Sequence, residues 1–340
     1  MSKTINVFFA FQPGESLKKH LLKEFDILGN VKLIFPEESS GELFLKCASD
    51  AEIIVGWRPT DELIRTAKNV RMFINPGTGV QHLAEKFRKL KKERDIVLIN
   101  GHGNSYFCAQ HAVAMLLALM NEVIPHHIWL SEGKWRTGDQ EAMSIPLRNR
   151  KIGLCGYGAI NQKVHRFLSG FDVEFSIFRK DWDKQELSFP TQVKKYSSQE
   201  LHPFLKEVDT IIIALPSTLL TRGLFDKKEF EFLGSDGLVV NVGRGDVIIE
   251  ECLYNALKNE TICGAAIDVW FNYKPEADEE SRKYPFSFPF QKLDNIVLSP
   301  HRAASPFDDL KRWDEVIENI KRFARGENDF INVIDLDKEY

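Results

Sequence analysis

The chain has 340 residues, which predicts two domains at roughly 150 residues each. A hydrophobic fraction of 43% can fill both cores, and a net charge of -4 argues against nucleic-acid binding because nothing neutralises phosphates in bulk. The longest apolar run, 112–120, is too short to cross a membrane. The N-terminus does not have the charged, apolar and small-residue regions of a secretory signal peptide. The 5 cysteines contain no C-x-x-C pair and predict reduced thiols in a cytoplasmic protein.

The first hundred residues alternate between apolar runs and helical patterns. Helices are expected over segments such as 15–28 and 61–68. The apolar runs read as buried strands over 5–11, 31–35, 51–57, 70–75 and 96–100. Strands that alternate with helices imply a mostly parallel sheet with both faces covered.

A long helix over 105–120, which Asn104 or Ser105 can cap, is apolar on almost every side and marks the crossing into a second domain. The second domain repeats the strand–helix alternation, with strands expected over 151–155, 173–178, 210–215, 237–242, 262–269 and 295–299. A tail helix over 308–325 and a strand-like 330–335 are expected to return to the first domain. The expected domains are therefore 1–104 with 303–340, and 105–302.

A glycine-rich turn follows the first strand of the second domain and precedes a helix. The first glycine permits a tight turn, and the second lets a pyrophosphate approach the N-terminus of the helix. The third glycine of the usual pattern is Asn161, so the match is imperfect, although its setting between strand and helix strengthens it. The turn reads Gly156, Tyr157, Gly158, Ala159, Ile160, Asn161.

The next strand ends at Arg179 and Lys180, where an NAD-selective site carries an acidic residue. Arg179 is placed to pair with a 2′-phosphate, which predicts NADP(H) as the cofactor. Two alternatives stay open. The basic pair can be a solvated strand end, or Asp181 or Asp183 can take the acidic role and bind NAD.

Three later strands each end in a residue suited to catalysis. Arg244 lies in N-V-G-R-G, Asp268 in A-A-I-D-V-W and His301 in S-P-H-R. The carboxyl ends of parallel strands line the ligand crevice of an open sheet, so we expect these three side chains to converge.

In this order the motifs resemble the D-isomer-specific 2-hydroxyacid dehydrogenase family, over nearly the whole chain. The segment 77–80 (G-T-G-V) resembles the family's substrate-carboxylate loop, and 216–221 matches its P-x-T-x-x-T segment. Ala109-Gln110-His111 stands where the family usually has Ala-Glu, and 332–335 resembles the closing motif. The resemblance implies an α/β fold with two mostly parallel sheets, in which a Rossmann-type cofactor domain is inserted into a discontinuous flavodoxin-like substrate domain. It also implies a homodimer formed through the cofactor domain, for which the apolar 105–120 helix and the segment after it, with Trp129 and Trp135, are available.

The resemblance implies hydride transfer between NADP(H), with NAD possible, and a small 2-oxo acid such as glyoxylate or hydroxypyruvate, which gives a D-2-hydroxy acid. His301 would act as the general acid, and Arg244 would hold the substrate carboxylate and polarise the carbonyl. The backbone N–H groups of Gly79 and Val80 would bind the carboxylate as well. Expected cofactor contacts are Gly156, Tyr157, Gly158, Ala159, Ile160, Arg179, Lys180, Leu215, Pro216, Thr221, Val242, Gly243 and Asp268.

The chain departs from the family at the partner of the histidine. Most members have a Glu five residues after the Asp, and here that position is Tyr273. Either Tyr273 orients His301 by a neutral hydrogen bond, or Glu276 swings in from the following loop. Formate dehydrogenases, which are relatives, have a similar D-V-W-F run and a neutral partner. A neutral partner lowers the pKa of the histidine relative to Glu-bearing relatives.

Trp57 and Arg58 follow a strand of the first domain and are candidate substrate contacts, with an ordinary surface loop as the alternative. His126 and His127 are adjacent, so they do not share a helix face, and no metal site is expected. Two other functions stay open. One is a catalytically idle cofactor-binding scaffold like the transcriptional corepressors that resemble this family, and the other is oxidation of formate or phosphite.

Overall fold

The computed structural model describes residues 4–135, 143–182, 187–306 and 308–338. The chain divides into two compact units, one made of residues 1–104 and 306–340 and the other of residues 105–305. Each unit holds a parallel sheet covered by helices, which confirms the predicted α/β fold class.

The first unit contains a parallel sheet of strand order β2-β1-β3-β4-β5. The central strands β3 and β4 are buried along their whole length, as expected when helices cover both faces of a parallel sheet. The elements are β1 (Ile5–Phe9), α1 (Glu15–Asp26), β2 (Val31–Ile34), α2 (Glu42–Ala48), β3 (Ile53–Val55), α3 (Asp61–Thr66), β4 (Met72–Asn75), α4 (Gln81–Lys91) and β5 (Val97–Asn100).

The chain returns to this unit through a 3-10 turn, Leu310–Trp313, and the helix Asp314–Arg325, here numbered α11. The expected strand over 330–335 is wrong, because Val333 forms only an isolated antiparallel bridge to Ile99. The physical reason is Asn332, whose φ of 59° interrupts an extended run.

The second unit contains a parallel sheet of order β12-β11-β10-β9-β6-β7-β8. The sequence pattern did not predict the edge strand β8, because its exposed lysines at 194 and 195 hide the apolar signal. The elements are α5 (Ser105–Met120), α6 (Val123–Ser131), β6 (Lys151–Cys155), α7 (Ala159–Leu168), β7 (Glu174–Phe178), β8 (Val193–Tyr196), α8 (Leu201–Glu207), β9 (Thr210–Ile213), α9 (Lys227–Leu233), β10 (Leu238–Asn241), α10 (Glu250–Lys258), β11 (Gly264–Ile267) and β12 (Ile296–Leu298).

Strand register in the second sheet brings several chain segments to one edge. Asn241 at the end of β10 pairs with Ile213 of β9 and with Ile267 of β11. Cys155 of β6 also pairs with Ile213, and Leu298 of β12 pairs with Ile267. The segments that follow these five strands therefore start from the same edge, where parallel sheets bind their ligands.

Helix α5 begins at Ser105 as expected, but Asn104 does not cap it, because its buried side-chain oxygen has no hydrogen-bond partner among the described residues. Within the described part of the chain no single helix is long and apolar enough to span a membrane. Helices α5 and α6 meet that criterion only as a pair, and they are bent by 64° at the break between them.

Candidate active site

The turn after β6 has the backbone shape that a phosphate-binding turn needs. Gly156 has a φ of +79°, which disfavours a residue with a side chain, and a Cβ at this position would also force the Leu215 side chain, 2.9 Å away, to shift. Gly158 differs, because a Cβ there would meet no protein atom within 4 Å. The open space lies at the N-terminus of α7, which has no side-chain cap. The turn therefore fits a pyrophosphate held by backbone N–H groups.

Asn161 explains why the third glycine of the pattern can be absent. Its side-chain amide donates to the carbonyl oxygens of Cys155 (3.2 Å), Gly156 (2.7 Å) and Ile212 (3.1 Å). The side chain is fully buried and joins the turn to the ends of β6 and β9. Asn161 thus holds the helix against the strands by hydrogen bonds, whereas a glycine at this position would do so by close packing.

Arg179 lies directly after β7, and its guanidinium group is 5.4 Å from the ring of Trp182. The buried Nη1 atom has no hydrogen-bond partner among the described residues. A cation held on an aromatic ring with an unpaired donor fits the 2′-phosphate of NADP. Lys180 is exposed. Of the two alternative acidic residues, Asp181 is partly buried, and Asp183 lies outside the described residues, so the acidic alternative stays a prediction.

The P-x-T-x-x-T segment forms a compact turn beside these glycines. The Thr221 hydroxyl donates to the Pro216 carbonyl (2.5 Å) and accepts from the Thr218 N–H (2.8 Å). A Cβ on Gly243 would lie 2.6 Å from the Leu215 carbonyl oxygen, so this backbone closely approaches the end of β10. The predicted cofactor contacts after β6, β9 and β10 are thus near neighbours.

Arg244 is positioned by Asn241 at the end of β10. The Asn241 side chain accepts from the Gly243 N–H (3.0 Å) and donates to the Arg244 carbonyl (3.0 Å). The Arg244 guanidinium group is half-buried, and it donates to the Gly243 carbonyl at 2.6 Å. The loop is therefore fixed at its backbone while the rest of the guanidinium group stays available to a ligand.

Asp268, directly after β11, is 1% exposed and accepts several hydrogen bonds. Its donors are the Ser299 hydroxyl, the Arg302 N–H (2.7 Å) and the Ala303 N–H (3.1 Å). Burial raises the pKa of Asp268, but the nearby imidazole of His111 (Nε2 at 3.5 Å) and the hydrogen bonds from Ser299 and the two backbone groups outweigh burial and leave its pKa lower than usual. The carboxylate is therefore charged.

His301 follows β12 in a left-handed backbone conformation, with a φ of 56°. The residue is exposed at the surface, but its imidazole is partly desolvated. This desolvation lowers its pKa, the negative charge of Asp268 opposes the shift, and the positive charge of Arg244 adds to it. The three residues that the sequence singled out thus lie close enough in the second unit for their charges to interact.

Tyr273 contacts His301 through its ring. The two ring centroids are 5.3 Å apart in an edge-to-face arrangement, while the Tyr273 hydroxyl points to the Trp270 N–H at 3.5 Å. The structure therefore shows a ring contact between Tyr273 and His301, and the hydrogen bond between them stays a prediction. Glu276 is exposed, and its role as a partner stays a prediction.

In the first unit, two asparagines organise the loop that contains Gly79 and Val80. Asn75 donates to the carbonyl oxygens of Gly77 (2.7 Å) and Gly79 (3.0 Å), and Asn100 donates to that of Thr78 (3.1 Å). The asparagines end β4 and β5 and pair in register. Three successive carbonyl groups of the loop are held by side chains, which fixes the orientation of its peptide groups. The N–H groups at the start of α4, which has no side-chain cap, can therefore bind a ligand.

Trp57 and Arg58 are exposed in the same unit. The Trp57 ring lies 4.8 Å from that of Phe11, and its carbonyl is 2.7 Å from Nε2 of His82 at the start of α4. A Cβ on Gly77 would lie 3.4 Å from the indole nitrogen, so Trp57 borders the loop 77–80.

The sequence analysis missed four residues that hold these groups in place: Asn75, Asn100, His111 and Ser299. The only signal available was position, since three of them are polar residues at or directly after the end of a strand. His111 lies on α5, far along the chain from its partner Ser299, so no local pattern could connect the two.

A family model described as D-isomer specific 2-hydroxyacid dehydrogenase, NAD binding domain, matches residues 113–303. The match covers more than half of the chain, so the chain belongs to the D-isomer specific 2-hydroxyacid dehydrogenase family. Members of this family are NAD(P)-dependent oxidoreductases that act on CH–OH donors. The predicted resemblance is thereby confirmed.

Among its relatives, a D-3-phosphoglycerate dehydrogenase of Archaeoglobus fulgidus is 30% identical over 78% of this chain and 47% of its own, so the chain spans about half of that relative's length. A formate dehydrogenase of Chaetomium thermophilum is 27% identical over 84% of this chain and 77% of its own. A glyoxylate reductase of Pyrococcus furiosus is 31% identical over 64% of this chain and 63% of its own.

A solved structure of a similar fold is an NADPH-dependent glyoxylate/hydroxypyruvate reductase of Sinorhizobium meliloti in complex with citrate. The TM-score is 0.74 at 23% identity, over 98% of both chains. At this identity the likeness establishes the fold alone.

Proposed function

We propose that the protein reduces 2-oxo acids of the glyoxylate and hydroxypyruvate type to D-2-hydroxy acids with NADPH. The observation that carries the proposal is the grouping of Arg244, Asp268 and His301, from three neighbouring strands, at the sheet edge that also carries the glycine turn. Family membership and the similarity to a glyoxylate reductase support it.

Bound NADPH would supply a hydride to the keto carbon of the substrate. The residues of this chain would supply the remainder of the chemistry. His301 would deliver a proton to the carbonyl oxygen as negative charge develops there, and its lowered pKa makes the imidazolium a stronger acid. Arg244, which keeps its charge, would bind the carboxylate and polarise the carbonyl. The glycine turn would hold the pyrophosphate, and Asp268 would face the nicotinamide end.

The preference for NADP over NAD rests on Arg179. Its buried Nη1, which has no hydrogen-bond partner in the part of the chain that the structure describes, and its contact with Trp182 support a guanidinium group preset for a 2′-phosphate. The wild type should have a higher kcat/KM for NADPH than for NADH, and Arg179→Asp should reverse the order. A wild-type ratio below one would contradict this preference.

In the first unit, the N–H groups of Gly79 and Val80 are the proposed carboxylate contacts, since Asn75 and Asn100 hold the carbonyl oxygens of the same loop. Trp57 borders that loop, and Trp57 and Arg58 remain predicted substrate contacts. Gly79→Pro removes one N–H, so it should raise the KM for the 2-oxo acid more than it changes the Kd for NADPH.

The proposed assembly is a homodimer formed through α6. This helix is rich in apolar residues yet buries none of them in the described chain, and Val123, Ile124, Ile128 and Leu130 are all more than 40% exposed. A second copy would cover them. The cytoplasmic location expected from cysteine usage stays a prediction, and none of the five cysteines forms a disulfide in the structure.

The experiment is a panel of 2-oxo acids followed by NADPH absorbance, with chiral analysis of the product. Turnover of glyoxylate or hydroxypyruvate, with a D-product from the latter, is the expected result. Lack of turnover with NADPH binding retained would instead favour the idle scaffold. Formate oxidation is a second candidate, favoured by the neutral Tyr273 and by the similarity to a formate dehydrogenase. Reduction of NADP+ by formate or phosphite, without reduction of any 2-oxo acid, would support it.

A further inference from the structure

Ser299 lies at the centre of a hydrogen-bond network beside His301. Its N–H donates to the Ile267 carbonyl (2.9 Å), and its own carbonyl accepts from the Trp270 indole N–H (2.8 Å) and from the His301 N–H (3.0 Å). Its hydroxyl contacts the Asp268 carboxylate and, at 2.9 Å, Nε2 of His111. Each polar group of this residue is therefore engaged in holding the end of β12.

The direction of the hydroxyl contacts follows from the chemistry of their partners. A charged carboxylate can only accept, so the single hydroxyl proton of Ser299 goes to Asp268. The contact with His111 must then run the other way, with His111 Nε2–H donating to the Ser299 oxygen. This chain of hydrogen bonds requires His111 to carry its proton on Nε2, although Nε2 is also 3.5 Å from the carboxylate.

The carboxylate of Asp268 uses its remaining capacity on the backbone after His301. It accepts the N–H groups of Arg302 (2.7 Å) and Ala303 (3.1 Å), while the N–H of His301 is held by Ser299. His301 is thus fixed on both sides in a left-handed conformation that is unfavourable for a residue with a Cβ. The anchored carboxylate provides the contacts that maintain this conformation.

We propose that His111 and Ser299 are positioning residues for the general acid. Through Asp268, the hydrogen bonds from His111 to Ser299 and from Ser299 to the carboxylate keep the backbone of His301 in its left-handed conformation and its imidazole at the reacting position. The inference rests on the proposed role of His301 as the proton donor.

The charged groups that face His301 are Asp268 and Arg244, and the ring of Tyr273 packs against its edge. His111 faces Asp268 and Ser299 and is 30% exposed at its side chain. If the Ser299 hydroxyl is removed, the carboxylate keeps its charge but loses one of its anchors. The loop then loosens, the contacts that partly desolvate the imidazole are lost, and the pKa of His301 rises toward its ordinary value.

The test compares Ser299→Ala with Ser299→Thr, which retains the hydroxyl, and His111→Phe with His111→Gln, which retains an N–H donor. Ser305→Ala is the matched control, since this serine lies in the same loop and donates only to the Arg302 carbonyl (2.7 Å). The readouts are kcat with glyoxylate and NADPH, the thermal midpoint, and the pKa of His301 by NMR in the cofactor-free protein. NMR also reports which nitrogen of His111 is protonated.

Ser299→Ala and His111→Phe are expected to lower kcat by about tenfold or more and to raise the pKa of His301. Ser299→Thr and His111→Gln should retain most of the wild-type kcat and a His301 pKa close to that of the wild type. Ser305→Ala should change neither kcat nor the His301 pKa. Position 111 is a partly exposed helix position, so His111→Phe is expected to fold. The proposal is overturned if the folded His111→Phe variant has the kcat and the His301 pKa of the wild type. It is also overturned if His111 carries its proton on Nδ1. If the wild type reduces no 2-oxo acid while the pKa of His301 still responds to these variants, the proposed function fails and the positioning role stands.

Discussion

The net effect of its surroundings favours the neutral form of His301. Desolvation and the charge of Arg244 lower its pKa, and Asp268, whose lone pairs are spent on other donors, only partly compensates. Reduction of a carbonyl requires the protonated imidazole, so the rate should fall as the pH rises through this lowered pKa. The upper limb of the reductive pH profile is therefore expected below the ordinary histidine value of 6.5.

The residue at position 273 allows this electrostatic argument to be tested. Tyr273→Glu adds a negative charge beside the imidazole, which should raise the pKa of His301 and move the upper limb of kcat to higher pH. Tyr273→Phe keeps the ring contact and removes only the hydroxyl, so it should leave the limb in place. The measurement is kcat against pH for the three proteins, and a shift in Tyr273→Phe as large as that in Tyr273→Glu would contradict the ring-contact account.

At the scale of the element, a substitution in the turn between β6 and α7 can weaken ligand binding without changing the stability of the protein. Gly158→Ala should weaken NADPH binding, because the new methyl group occupies the space that we assign to the pyrophosphate. It should leave the thermal midpoint of the cofactor-free protein almost unchanged, since the methyl group meets no protein atom within 4 Å.

Gly170→Ala, beyond the other end of α7, is the matched control, and its added methyl group also meets nothing within 4 Å. It should change neither the Kd for NADPH, measured by fluorescence titration, nor the thermal midpoint. Unchanged NADPH binding in Gly158→Ala would remove this turn from the cofactor site.

The elements that the sequence predicted best are the buried strands, whose continuous apolar runs do not depend on distant partners. The structure shortens several of them, so that 51–57 becomes Ile53–Val55 and 262–269 becomes Gly264–Ile267. The edge strand β8 could not be predicted from apolar pattern, and the left-handed Asn332 has no signature in composition. Strand boundaries depend on turn conformations and on pairing partners far along the chain.

For the whole molecule, the order of motifs along the chain predicted which residues gather in the second unit, because parallel strands bring their carboxyl ends to one edge. Arg244, Asp268 and His301 follow from that rule. The supporting roles of His111 and Ser299 do not, since their hydrogen bond joins residues 188 positions apart. The hydroxyl direction of Tyr273 was also beyond prediction, because it depends on the backbone path of the loop after β11.

The assembly is tested at the same scale. Ile128→Glu places a charge in the apolar exposed face of α6 and should convert a dimer into a monomer, as measured by light scattering after gel filtration. Ile27→Glu is the control, since Ile27 is 91% exposed beyond the end of α1, in the other unit. A wild type that is monomeric at every concentration, or an Ile128→Glu variant that keeps the mass of a dimer, would contradict the α6 interface.

The most direct test of the account is a double-mutant cycle between Arg244→Gln and His301→Asn, read as kcat/KM for a 2-oxo acid with NADPH. When two residues act together on one bound carbonyl, losing either one removes most of their joint effect. Each single substitution should therefore lower kcat/KM by about a hundredfold or more, and the double substitution should lower it by far less than the product of the two single losses. NADPH should still bind to His301→Asn. Turnover like that of the wild type in His301→Asn, or strictly multiplicative losses in the double variant, would contradict a shared site for these two side chains.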